Sequence, residues 1–266
     1  MPGLFQQPVR GRPKDMRAKT SVTREEALRV VEACSRLLRE QFGARAVHVC
    51  GSAAGEAPWH DRSDLDLMVE GLPAGQYFDA LAAVWDLLPE GLDLDLLRIE
   101  TAPPALVRRL RGEEKMPDDP KEALAQQIRE ELHQLELLAQ RAETWLQGRR
   151  DEPAPLEIMG AGKIIHDFYT GAERIFERIA VQMDDYLPAG LHWHTDLLGQ
   201  MERPWGEKRA AILDHGLALR LHRYMRFRHL FRHTYGYELV WEELRPLVEG
   251  LPSILADLRS RLATLL

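Results

Sequence analysis

Cysteine is scarce in this chain: 266 residues contain only two, Cys34 and Cys50. Two cysteines make no disulfide framework and no paired-thiol metal spacing, which fits a reducing compartment and reads as two core thiols. Long apolar runs are also lacking. AVHVC and LATLL fall far short of the roughly 20 residues of a membrane span, and no apolar core follows the basic residues near the N-terminus. The expected location is therefore cytoplasmic, with no membrane partner. Positive charge is in deficit too, with a net charge of −7, which argues against a general nucleic-acid coat protein, since backbone binding neutralises phosphates with Lys and Arg. Repeats and low-complexity tracts are absent. The last scarcity is local: from His215 to Tyr237 there is no carboxylate, while Arg220, Arg223, Arg226, Arg228 and Arg232 alternate with His222, His229 and His233. An acidic protein thus carries one basic stripe.

What is present divides in two. Residues 1–20 are polar and aperiodic and read as a mobile arm. Ser21 reads as the N-cap of a helix over SVTREEALRVVEACSRLLREQF that Gly43 ends. AVHVC (46–50) is a short β-branched run, SDLDLMVEGL (63–72) and LDLDLLRIE (92–100) alternate as strands do, and AGQYFDALAAVWDLL between the latter two is helical in pattern. Residues 21–116 therefore predict a small α/β domain. After KMPDDPKEAL (115–124) the pattern turns helical. Segments beginning at 122, 156, 208 and 241 are amphipathic and predict a four-helix bundle over 117–266.

The α/β half offers a carboxylate constellation. Residues two apart on a strand share a face, so Asp64 and Asp66 point one way while Leu65, Leu67 and Val69 point into the core. Two adjacent carboxylates repel, and a divalent cation such as Mg²⁺ relieves that cost by taking their oxygens together with those of a phosphate. This suits nucleotidyl transfer. Gly51 lets backbone N–H groups approach a phosphate and Ser52 can donate to it, while Ser63 is placed to cap or position the second strand. Asp93 or Asp95 would supply a third ligand.

Gly51-Ser52, then Ser63-Asp64-Leu65-Asp66-Leu67, then an aspartate-bearing strand followed by Ala102-Pro103-Pro104 resemble the minimal nucleotidyltransferases, the polymerase-β-like MntA group of antitoxins. Laid onto the family's third strand, LDLLRIETAPP selects Asp95. The resemblance implies Asp64, Asp66 and Asp95 on Mg²⁺, with Gly51 and Ser52 on the triphosphate of ATP. The sequence departs from the family in carrying one residue more between the glycine-serine pair and Asp64, and in having no arginine after the serine (SAAGEAP).

The helical half offers Arg228, His233 and Tyr235. Metal-free RNA cleavage needs a base, an acid and a cation for the crowded phosphate, roles that histidine and arginine fill. Five residues along a straight helix turn by about 140°, so Arg228 and His233 would not share one narrow face unless the helix ended near Gly236. This R-x4-H-x-Y pattern behind a minimal nucleotidyltransferase resembles the HEPN ribonucleases called HepT toxins. The resemblance implies a homodimer or higher homo-oligomer joining the Arg and His of two subunits in one RNA-cleaving cleft. It also implies AMP transfer onto Tyr235, its hydroxyl activated by Asp95, to silence the nuclease. The expectation is thus a fused toxin-antitoxin protein. The rival readings are a small-molecule nucleotidyltransferase whose helical half binds substrate, and a non-catalytic assembly module. His192 and His194 in GLHWHTD read as a loop pair without metal partners, Gly160 and Gly162 as sites of close helix packing, and Lys163 and His166 as unassigned.

Overall fold

A computed structural model describes residues 22–56, 58–60, 63–148, 152–232 and 238–266. The expected arm and Ser21 lie outside them. The chain forms two compact units, one ending at Lys115 and the other beginning at Met116.

In the first unit, α1 spans Arg24–Phe42 and is capped by Thr23, whose side chain accepts from the Glu26 N–H while the Glu26 carboxylate accepts from the Thr23 N–H. This reciprocal box satisfies donors that a helix start leaves open, and so sets the start at Arg24. Gly43 ends α1 at φ 69°, in the left-handed region. Then come β1 (Ala46–Cys50), the single turn α2 (Gly51–Ala54), β2 (Leu65–Glu70), α3 (Tyr77–Trp85), β3 (Leu94–Arg98) and α4 (Pro104–Leu110). The three strands form one sheet in sequence order, β1 antiparallel to β2 and β2 parallel to β3. Leu65, Leu67, Val69, Leu94 and Leu96 bury their face with Ala27, Cys34 and Leu38 of α1 and Ala80 and Val84 of α3. The alternation of β2 is incomplete, because Met68 on the other face is buried as well. The carboxylates stand at the end of that face rather than along all of it.

The second unit holds α5 (Pro120–Gln147), α6 (Pro155–Gln182), α7 (Trp193–Met201), α8 (His215–Phe231) and α9 (Trp241–Leu262) around one core. The bundle thus has one helix more than expected among the described residues. The extra one, α7, is nine residues long and buries Leu197, Leu198, Gln200 and Met201. Helix α8 begins at His215 rather than near Lys208, because the Asp214 carboxylate caps it through the Leu217 N–H. The residues just before it are held differently: the Arg209 guanidinium pairs with Asp184, their side chains 2% and 0% exposed. Gly162 of α6 is a site of close packing, as expected; a Cβ there would lie 2.8 Å from the Phe231 ring and 3.0 Å from Leu239. Gly160 is not, having open space around it.

Candidate functional site

Strand register decides which carboxylates meet on the sheet. Asp66 stands opposite Asp95, and Leu65 opposite Leu94, so Asp66 and Asp95 are side by side on the face away from the core. Asp64 directly precedes the strand. The Leu65 N–H donates to the Asp93 carbonyl, which sets Asp93 level with Asp64. Parallel pairing thus sets side by side two of the three aspartates that the resemblance joined, Asp66 and Asp95. Oxygen donors on one face suit a hard cation in kind. Among the described residues, however, no group of three or more His, Cys, Asp or Glu is gathered as a metal-holding cluster.

Gly51 is required for a reason the sequence did not reveal. Its φ is +64°, and a Cβ there would lie 2.2 Å from Asp66 Oδ2. Its N–H donates to Glu56 Oε2 at 3.1 Å, so a phosphate oxygen at that N–H would have to displace a carboxylate. The Cys50 thiol is pushed up to about 12 by burial and by the nearby Glu56 and Asp66 charges, with Arg109 pulling the other way. Ser63 is buried and accepts from the His60 N–H at 3.0 Å, fixing the loop before β2. The Tyr77 hydroxyl donates to the Leu96 carbonyl at 2.7 Å, and burial followed by the Asp95 charge raises its pKa.

In the helical unit His233 and Tyr235 lie outside the described residues, so the site is built around Arg228. Helix spacing explains its partners: His166, Thr170 and Glu173 fall at i, i+4 and i+7 on α6, and Tyr224, Arg228 and Phe231 follow the same rhythm on α8. Arg228 Nη2 lies 3.3 Å from Glu173 Oε2, Nε donates to Thr170 Oγ1 at 3.3 Å, and Nη1 is 3.5 Å from His194 Nε2. His194 Nδ1 lies 2.5 Å from Glu173 Oε1. One carboxylate therefore bridges an arginine and a histidine. The side chains of Glu173, Arg228 and His194 are 5%, 11% and 16% exposed, so these charges interact through little water. The Tyr169 hydroxyl is raised well above its ordinary value by burial and by Glu173, with Arg228 opposing.

His194 is thus not a loop residue. It occupies the first turn of α7, its ring tilted by 30° against that of Trp193 with the centroids 3.6 Å apart. Glu173 and His194 were missed because a search for metal spacing asks only for sequence neighbours; the usable signal was that Arg228, in a helix free of carboxylates, needs a counter-charge from another helix. Beside this network, Lys163 and His166 converge on Asp167, with Lys163 Nζ 2.5 and 2.6 Å from its two oxygens. Burial pushes the Asp167 carboxyl up, but bonds from His166 and Lys163 outweigh it and hold it below its ordinary value.

Residues 160–266, which contain Glu173, His194 and Arg228, match the HepT-like protein family. The similarity covers α7 to α9 and most of α6, and leaves α5 outside it. No curated protein and no solved structure matches the chain. Among the described residues no helix is long and apolar enough to cross a membrane.

Proposed function

We propose that the helical unit is a metal-independent endoribonuclease with Arg228 as its phosphate-gripping cation. The observation that carries this reading is the HepT-like match over 160–266, within which Arg228 sits in an ion-paired cluster with an imidazole 3.5 Å away. A guanidinium keeps its charge and holds phosphate through a planar fork, so it neutralises the charge that builds on phosphorus during cleavage. His233 completes the proposed acid–base pair, and two copies of the chain would share the cleft.

The proposal for the α/β unit is nucleotidyl transfer from ATP to Tyr235. Its support is the register that sets Asp66 beside Asp95 and the glycine whose bare α-carbon admits the Asp66 carboxylate. Asp64, Asp66 and Asp95, which are not gathered as a metal-holding cluster in the structure, would have to draw together to hold Mg²⁺, which when bound would offset their repulsion and neutralise triphosphate charge. Gly51 and Ser52 would face the triphosphate, and Asp95 would take the proton of the attacking hydroxyl.

One preparation tests both halves. With chelator present, the chain is expected to cut single-stranded RNA and Arg228→Ala to leave it whole; equal cutting by the two ends the nuclease reading. With Mg²⁺ and ATP labelled at the α-phosphate, label is expected on Tyr235 and absent from Asp66→Ala. Label on neither protein, or on both alike, removes the transferase.

A further inference from the structure

We propose that His194, outside the R-x4-H pattern, is the general base of the RNA cleavage reaction. The inference rests on the ribonuclease reading above. Arginine has donors only, so the ring nitrogen facing Arg228 must accept, and Nε2 therefore carries the lone pair. The proton is then on Nδ1, where it meets Glu173 Oε1 at 2.5 Å. A carboxylate that takes the Nδ1 proton fixes both tautomer and ring orientation, and it stabilises the imidazolium formed when Nε2 picks up a proton. The Arg228 to Nε2 separation of 3.5 Å is at the limit of a hydrogen bond, so a ribose hydroxyl can replace that contact at little cost.

The arrangement sets a base beside a phosphate-binding cation, which is what attack by a 2′-hydroxyl requires. Nε2 takes the 2′-hydroxyl proton, O2′ bonds to phosphorus, and the P–O5′ bond breaks to leave a 2′,3′-cyclic phosphate. The departing O5′ takes up a proton from water. Arg228 offsets the charge gathering on the phosphoryl oxygens. His194 and Arg228 keep 16% and 11% of their side chains exposed.

The test uses the full chain and a 5′-labelled single-stranded RNA oligonucleotide in chelator, with cleavage read under single-turnover conditions. His194→Gln is expected to slow cleavage by ~10²–10⁴-fold while the chain remains folded at the assay temperature. His194→Gly is expected to regain part of its rate on addition of imidazole. His192→Gln, whose side chain makes no capping bond at the start of α7, is expected to match the wild type. Cleavage by His194→Gln at the wild-type rate, with Arg228→Ala inactive, overturns the inference and leaves the nuclease reading standing. Loss of cleavage with a lowered melting midpoint and no imidazole rescue overturns it in favour of a purely structural network. Intact RNA with the wild type removes both.

Discussion

Asp184 shows how much one buried charge can hold. Its two oxygens accept from Arg209 Nε at 2.8 Å and Nη2 at 2.6 Å, and Gln200 Nε2 donates to the second at 2.6 Å. The gain from a buried pair is largely cancelled by desolvation, but removing one partner strands the other. Asp184→Ala is expected to cost about 3–5 kcal/mol in urea unfolding of the helical unit. A loss within the scatter of surface substitutions would mean that Arg209 finds another partner. Gly51→Ala is expected to cost at least ~1–2 kcal/mol from the left-handed backbone alone, and to displace the Asp66 carboxylate besides. Read at this scale, the sequence named Asp66, Asp95, Gly51 and Arg228 through motifs along the chain. It could not name Glu173 or join His194 to Arg228, since their relation to Arg228 exists only once three helices pack. Nor could it show that Glu56 folds back on the Gly51 N–H.

At the level of elements, termini were the legible and the misread features alike. Gly43 was readable as a stop because few other residues take its conformation. The start of α1 was placed two residues early, because both Ser21 and Thr23 are good caps and only Thr23 has a glutamate three places on. Helix α7 escaped notice since nine residues give too little periodicity to separate from a loop. Asp119 caps α5 by accepting from the Lys121 and Glu122 N–H groups at 2.8 and 3.0 Å, and Asp119→Ala is expected to destabilise the helical unit by about 1 kcal/mol in thermal or urea melts. Acid should act on these ends as well. Hydrogen bonds from Thr23 hold Glu26, and from the Leu217 N–H hold Asp214, below their ordinary 4.5 and 3.8, and Asp167 is lowered too. A carboxyl lowered in the folded state contributes stability that is full above its unfolded value and is lost as pH falls through the folded one. Melting midpoints are therefore expected to fall as pH is taken from 5 towards 3; a rise over that interval would contradict the assignment.

Across the whole molecule the two units differ in what reports on them. Both cysteines lie in the first, where burial holds Cys34 up at about 11 and burial with neighbouring carboxylates holds Cys50 up at about 12. Thiol-reactive dye is expected to label neither in the folded protein at neutral pH, since the thiolate is the reacting form. Labelling across a urea titration then tracks loss of the α/β unit alone; fast labelling in buffer would mean that the sheet opens readily. The change from period two to helical period was legible because it spans dozens of residues, whereas the HepT-like match covers only the later part of the chain.

The missing side chain at position 162 has a reach beyond its own helix. Phe231 rests its ring edge in the gap, three residues along α8 from the guanidinium. One methyl group introduced there would press on that ring, which must turn aside or shift the helix end that carries Arg228. Gly162→Ala would thus act on the centre from a position with no polar atom in its side chain, with all of its functional groups chemically unaltered.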